Sequence, residues 1–259
     1  RVISLIHKYL RSGVMNKGMF ETSEEGTPQG GPLSPLLSNI MLNELDKELT
    51  RRGLPFVRYA DDSMIFCKSK RAAKRVKESI TRFIEGKLHL KVNRDKTVVS
   101  YVQGVKYLGY SFYVMKGKCQ LTVHAKAKAK MKAKLKELTS RSNGWGYAKR
   151  KQKLEEYIKG WVGYYHLANM KRFLIETDEW LRRRLRMCIW KSWKRVKTRI
   201  ANLAKCGIDK YQAYLWGNSR LGYWRIAGSY ILSRAITNEK LSMAGYATLM
   251  GSYIEWHPK

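Results

Sequence analysis

The chain has 259 residues and carries 52 lysines and arginines against 20 aspartates and glutamates, a formal net charge of +32. Hydrophobic residues make up 44% of it and aromatics 12%, which excludes a disordered basic tail and requires a folded core. No apolar run is long enough to span a bilayer, so the charge points to a polyanionic partner, with nucleic acid ranked before an anionic membrane surface.

Residues 1–15 read as a helix, because Val2, Ile3, Ile6, Tyr9 and Leu10 recur at helical spacing. Residues 26–35 are mostly glycine and proline, a shaped loop in which glycines allow close backbone approach to a ligand. Pro35 suits the first turn of the next helix, and Leu37, Met41, Leu45 and Leu49 carry that helix to about Thr50. Phe56 to Cys67 read as two short strands around a tight turn, with Asp61 and Asp62 at the tip. Residues 70–86 return to helix, and 88–115 read as strands broken near Gly104 and Gly109.

After Gly117 the character changes. Lysines alternate with small residues from His124 to Arg141, over a narrow apolar stripe of Ala127, Met131, Leu135 and Leu138, so a helix with basic flanks is expected. Further helices are expected over 148–166 and 178–205, and small ones over 206–259. Gly160 and Gly163 interrupt the 148–166 pattern, and close approach by another helix or a nucleic-acid backbone would explain them. Residues 1–115 carry 20 basic and 11 acidic side chains, whereas 116–259 carry 32 and 9. The four cysteines lack C-x-x-C spacing, so free thiols in a reducing compartment are expected rather than a zinc site.

Adjacent carboxylates in a turn are common, since aspartate tolerates turn geometry. Beside a phosphate-bearing partner they also suit Mg²⁺, which prefers oxygen ligands and keeps one or two carboxylates plus substrate phosphates. The order of motifs separates the two readings. Gly-Thr-Pro-Gln-Gly-Gly at 26–31 precedes Tyr59-Ala60-Asp61-Asp62, followed by Asn93 to Thr97, Tyr107-Leu108-Gly109-Tyr110 and the aromatic run at 157–165.

In this order the chain resembles the group II intron-encoded reverse transcriptase/maturase family, in particular its bacterial members without an endonuclease domain. The resemblance implies an α+β fold. A partial polymerase palm, an antiparallel sheet with helices, would cover 1–117. An all-α thumb or maturase bundle would cover 118–205, and a small helical region with a DNA-binding role would cover 206–259. It implies that Asp61 and Asp62 hold two Mg²⁺ ions for RNA-directed DNA synthesis from deoxynucleoside triphosphates, with Lys96 near the departing pyrophosphate. Pro28, Gln29, Gly30, Gly31, Tyr59 and Ala60 would line the nascent pair, and Tyr107, Leu108, Gly109 and Tyr110 would grip the primer.

The partners implied are intron RNA, an RNA template with a DNA primer, and target DNA, in a bacterial cytoplasm and with no membrane. Phosphate contacts are expected from Lys126, Lys128, Lys130, Lys132, Lys134, Lys149, Arg150, Lys151, Arg182, Arg183, Arg184 and Arg186. Tyr147, Trp161, Tyr164, Trp190 and Trp193 are candidates for base stacking, although Trp161 lies on an apolar stripe and is expected in the bundle core. The family's palm uses a further aspartate upstream, and no acidic residue precedes Glu21. The corresponding expectation is that this stretch of chain binds RNA but does not polymerise unaided, and that its first half is the less stable one.

Overall fold

The computed structural model describes residues 1–16, 18–21 and 31–258, and only the backbone at 14–16 and 19–21. The described chain forms two compact units, Arg1–Tyr101 and Val102–Lys259. Gly117, near which the sequence suggests a boundary, sits in a hairpin turn inside the second unit.

In the first unit, α1 (Val2–Leu10) is followed by a two-stranded hairpin of β1 (Val14–Asn16) and β2 (Met19–Glu21). The helix expected over 1–15 therefore stops early, at Arg11, and Gly13 at φ 65° turns the chain into β1. Next come α2 (Ser34–Arg51), β3 (Phe56–Tyr59), β4 (Asp62–Ile65) and α3 (Lys70–Lys87). Pro35 stands in the first turn of α2, where its missing N–H would have had no partner. The Ser69 side chain accepts the Ala72 N–H at 3.2 Å and caps α3.

Leu45 and Leu49 from α2 and Ile80 from α3 bury together with Leu88, flanked by Phe56 and Ile65 of the β3–β4 hairpin. This core is small, and Val2, Ile3 and Leu5 of α1 and Leu36 and Ile40 of α2 are exposed. Residues 88–101, expected as strand, contain no strand, and Lys77 of α3 ties this stretch down through the Thr97 carbonyl.

The second unit opens with a three-stranded antiparallel sheet in the order β5 (Lys106–Tyr107), β6 (Tyr110–Met115), β7 (Lys118–Val123). Helices α4 (Ala125–Leu138), α5 (Tyr147–Tyr165) and α6 (Lys171–Ser192) form the bundle, continued by α7 (Val196–Lys205) and α8 (Lys210–Gly217). The short helices α9 (Tyr223–Ala227), α10 (Tyr230–Ala235), α11 (Asn238–Met243) and α12 (Leu249–Glu255) complete it.

One core runs through this unit, from Met131 and Leu135 of α4 through Ile158 and Val162 of α5 to Leu181, Leu185 and Trp190 of α6. The single helix expected over 178–205 is two helices. α6 begins seven residues earlier, and the chain leaves it at Trp193, which is buried against Trp190 with ring centroids 5.8 Å apart. The freed Trp193 carbonyl accepts from Arg199 Nε at 3.1 Å. Among the described residues no helix is long and apolar enough to cross a membrane.

Candidate active site and nucleic-acid interface

The β3–β4 hairpin pairs Tyr59 with Asp62, so its loop is Ala60-Asp61. Ala60 has φ 52° and Asp61 has no positive φ, the pattern of a type II′ turn, whose first position usually falls to glycine. An alanine there costs about 1–2 kcal/mol. Arg58 offsets this strain. Its Nη1 donates to the Ala60 carbonyl at 2.9 Å and to Asn39 of α2 at 2.8 Å, while Nε and Nη2 clasp both oxygens of Asp46 at 2.8 and 2.6 Å. The side chains of Arg58 and Asp46 are 13% and 26% exposed, so this fork is only lightly screened. Arg58 lies outside the motif that the two carboxylates mark. The available signal was strand alternation, which turns residues 56 and 58 inward and leaves an inward arginine in need of an acid.

Asp61 and Asp62 are both exposed at the tip. Two hard carboxylate donors suit one side of a Mg²⁺ shell, whose other positions go to water and substrate phosphates. Reverse transcriptases generally use divalent metal, yet no cluster of three or more metal-binding side chains occurs among the described residues. Tyr59 is 64% exposed beside the tip, and Lys96 is exposed in the stretch after α3, its N–H donating to Asn93 Oδ1 at 3.1 Å. Pro28, Gln29 and Gly30 lie outside the described residues, and Gly31 stands just before α2 against the Tyr9 hydroxyl.

The second predicted site is a second hairpin. Tyr107 pairs with Tyr110, leaving Leu108 (φ 50°) and Gly109 (φ 80°) as a loop with the two positive φ values of a type I′ turn. The C-terminal end of α5 packs over it. The Tyr164 hydroxyl donates to the Leu108 carbonyl at 3.0 Å, the Tyr110 hydroxyl donates to the Tyr164 carbonyl, and the Tyr110 and Tyr165 rings lie 5.2 Å apart. Burial, followed by the neighbouring tyrosines, pushes the Tyr110 hydroxyl above its usual pKa, so it stays a donor. Trp161 belongs to the same cluster, 4.6 Å from Tyr165, partly buried against the core as its apolar stripe implies. Gly163 meets the Trp256 ring, so a neighbouring helix does approach there, whereas a Cβ on Gly160 would meet nothing.

On α4 the lysines form two rows flanking the buried stripe, Lys126, Lys130 and Lys134 on one side, Lys128 and Lys132 on the other. Lys126 and Lys130 are exposed and have no carboxylate partner among the described residues. Lys134 pairs with Glu137 at 2.6 Å, and Lys128 and Lys132 stand over the Phe173 ring at 5.0 and 5.5 Å. The Nδ1 atom of His124 caps this helix, accepting the Lys126 N–H at 3.1 Å. Burial, then Lys106 and Lys126, hold its pKa below the ordinary value, in keeping with a neutral acceptor. Lys149 is exposed over Trp145, and Lys151 is half-buried.

The arginines depart from expectation. Arg150 is 6% exposed and bonds Asn143, and Arg182 is 5% exposed and bonds Ser242. Arg183 lies 4.1 Å from the Trp224 ring and donates to its carbonyl. Arg184 donates to the carbonyls of Lys136 and Thr139 at 3.0 and 3.1 Å, closing the C-terminal end of α4. Arg186 donates to the Ile236 carbonyl and to Asn238, both at 2.8 Å. The four arginines of α6 thus brace it against α4, α9, α10 and α11, and Arg150 of α5 ties down the loop before its own helix. At about 100° per residue, positions 182, 183, 184 and 186 fall near 0, 100, 200 and 40°, so Arg182 and Arg186 share a face while Arg183 and Arg184 turn away from it. Trp190 is likewise a core residue and not a stacking platform, Trp193 is 8% exposed beside it, and Tyr147 and Tyr164 are exposed.

Comparison with known proteins agrees with this arrangement. Residues 1–112 match the family model for reverse transcriptase (RNA-dependent DNA polymerase), and residues 128–207 match that for the group II intron maturase-specific domain. The chain is 32% identical to Protein YkfC of Escherichia coli, over 42% of this chain and 38% of the relative. It is 28% identical to the group II intron-encoded protein LtrA of Lactococcus lactis subsp. cremoris, over 45% and 30%. A Saccharomyces cerevisiae COX1/OXI3 intron 2 protein is 26% identical, over 43% and 20%. The chain thus spans less than half the length of these curated relatives. A reverse-transcriptase region followed in order by a maturase-specific region is the arrangement of the group II intron-encoded reverse transcriptase/maturases, which the chain resembles in both parts.

Proposed function

We propose that this chain is the palm and thumb portion of an enzyme that copies intron RNA into DNA and grips the same RNA to promote its splicing. The observation that carries the first half is the β3–β4 tip, where two adjacent exposed carboxylates top a turn held from below by Arg58. The reaction is in-line attack of a primer 3′-hydroxyl on the α-phosphate of a deoxynucleoside triphosphate, forming one P–O bond and releasing pyrophosphate.

Asp61 and Asp62 would hold magnesium, and the bound ion supplies charge neutralisation at the phosphates. Arg58 fixes the height and direction of the tip. The Leu108–Gly109 turn, clamped by α5, presents the primer end, and Lys96 supplies a proton toward the pyrophosphate. Gly31, Tyr59 and Ala60 would line the template side, and the family resemblance assigns the same role to Pro28, Gln29 and Gly30.

The second half rests on Lys126, Lys130, Lys132 and Lys134 of α4 with Lys149, all exposed, which would track phosphates and release counterions on binding. Target DNA would meet the 206–259 region, where Tyr211, Tyr214 and Tyr230 are exposed, and the bacterial cytoplasm is the proposed setting. RNA gripping without polymerisation is the second reading, favoured because the lysine rows need no partner from the palm. Primer extension on an RNA template with Mg²⁺, wild type beside Asp61→Ala, tests the first half. Extension that depends on Asp61 supports it, and RNA binding with no extension leaves the second reading alone.

A further inference from the structure

A cavity of about 550 Å³ opens where α5, α6, α7 and α11 meet, within the size range of ligand sites. Trp193 and Tyr246 are buried in its wall with Ile236 and Leu241, and Tyr147 stands 48% exposed among its lining residues, its hydroxyl hydrogen-bonded to Ser192. The charged side chains that line it are Lys151 and Lys240, and no acidic residue lines it. Lys240 Nζ donates to the carbonyls of Cys206 at 2.6 Å and Ala235 at 3.1 Å, and an ammonium has a third donor to give. A flat apolar body with an attached anion complements such a site: the aromatic rings cover the body and the lysines meet the charge.

We infer that this cavity receives a nucleotide of the bound RNA, its base unstacked from the strand and inserted beside Tyr147 and Trp193, its phosphate on Lys151 and Lys240. The inference rests on the RNA-binding reading above and adds a base-recognising pocket to a surface otherwise tracking phosphates. Extruded bases are how single-stranded RNA is read on aromatic surfaces.

Cys206 lines the cavity and reports its occupancy. The experiment alkylates the full chain with iodoacetamide and follows each cysteine by mass spectrometry, with the exposed Cys119 as internal control. The probes are a short oligoadenylate, an abasic strand of equal length, and adenosine monophosphate. Oligoadenylate at ten times its Kd is expected to slow Cys206 alkylation about tenfold and leave Cys119 unchanged. The abasic strand is expected to bind without protecting. Ala244→Trp, at an exposed position that lines the cavity, is expected to weaken oligoadenylate binding about tenfold and to spare the abasic strand.

A gel shift without Cys206 protection, or equal protection by the abasic strand, overturns the pocket and leaves RNA binding standing. Protection by the monophosphate but not by oligoadenylate makes this a free-nucleotide site and overturns it too. Absence of any shift removes both readings.

Discussion

A Cβ built on Gly109 would stand 2.3 Å from the hydroxyl oxygen of Tyr165, closer than any real side-chain carbon approaches a neighbour. The turn expected to grip the primer is therefore moulded against the maturase-type helix α5, and Gly109 serves there both for its φ of 80° and for its missing side chain. Gly109→Ala combines left-handed strain with overpacking, and is expected to destabilise the second unit by about 2–4 kcal/mol. Denaturant titration followed by tryptophan fluorescence measures this, since that unit holds all eight tryptophans. An unchanged midpoint would mean that the turn moves away freely from Tyr165.

Arg58 tests whether the tip is held from below. Arg58→Ala removes a fork to Asp46 and the bond to the Ala60 carbonyl, and should cost about 1–3 kcal/mol, less than a fully buried pair because Asp46 keeps 26% exposure. Arg58→Lys should not restore it, because an ammonium cannot reproduce the fork. Hydrogen exchange at 56–66 should quicken in both variants while exchange in α6 stays as in the wild type.

Acid should loosen the α2–α3 pair. Glu48 is held at a pKa of about 2 by hydrogen bonds from Arg51 and then Arg52, against an ordinary 4.5, and Arg52 also reaches Ser79 of α3 at 2.9 Å. A carboxylate whose folded pKa is depressed adds stability above its unfolded pKa and loses it as pH falls through the folded one. The contribution of Glu48 should thus be complete above about pH 4.5 and gone near pH 2. Glu48→Gln should flatten the stability profile of the first unit in that window, as read by circular dichroism.

Lysines of α4 and arginines of α6 should separate by assay. Arg184→Ala leaves the Lys136 and Thr139 carbonyls without their donor and should lower stability by about 1–3 kcal/mol. Once folded, the variant should bind RNA with the wild-type dependence on salt. Lys130→Ala should do the reverse, with thermal midpoint unchanged and the slope of log affinity against log salt reduced by about one.

The elements were legible wherever periodicity was strong and local: α2, the β3–β4 hairpin, α3 and α5 stand close to where spacing puts them. The Asp61–Asp62 tip was legible because turn and strand chemistry coincide in a few residues. What failed depended on contacts distant in sequence. α6 ends at Trp193 because the ring is needed in the core, which no local pattern announces. Residues 88–101 contain β-branched residues yet form no ladder. The arginines of α6 read as a phosphate cluster by count, and only the groups they reach, far away in the chain, show them as braces. Arg58 and the Gly109–Tyr165 contact join separate segments and were invisible in the linear order.

On the proposed reading the α4 lysine rows, rather than the α6 arginines, hold the RNA. The most direct measurement is the affinity of this chain for a structured intron RNA across a salt series, comparing wild type with the combined Lys126, Lys130, Lys132 and Lys134→Ala variant. A slope shallower by about three to four and an affinity at least about tenfold weaker are expected, with stability lowered by no more than about 1 kcal/mol through loss of the Lys134–Glu137 pair and the Lys132–Phe173 contact. Unchanged slope and affinity in a folded variant would contradict it.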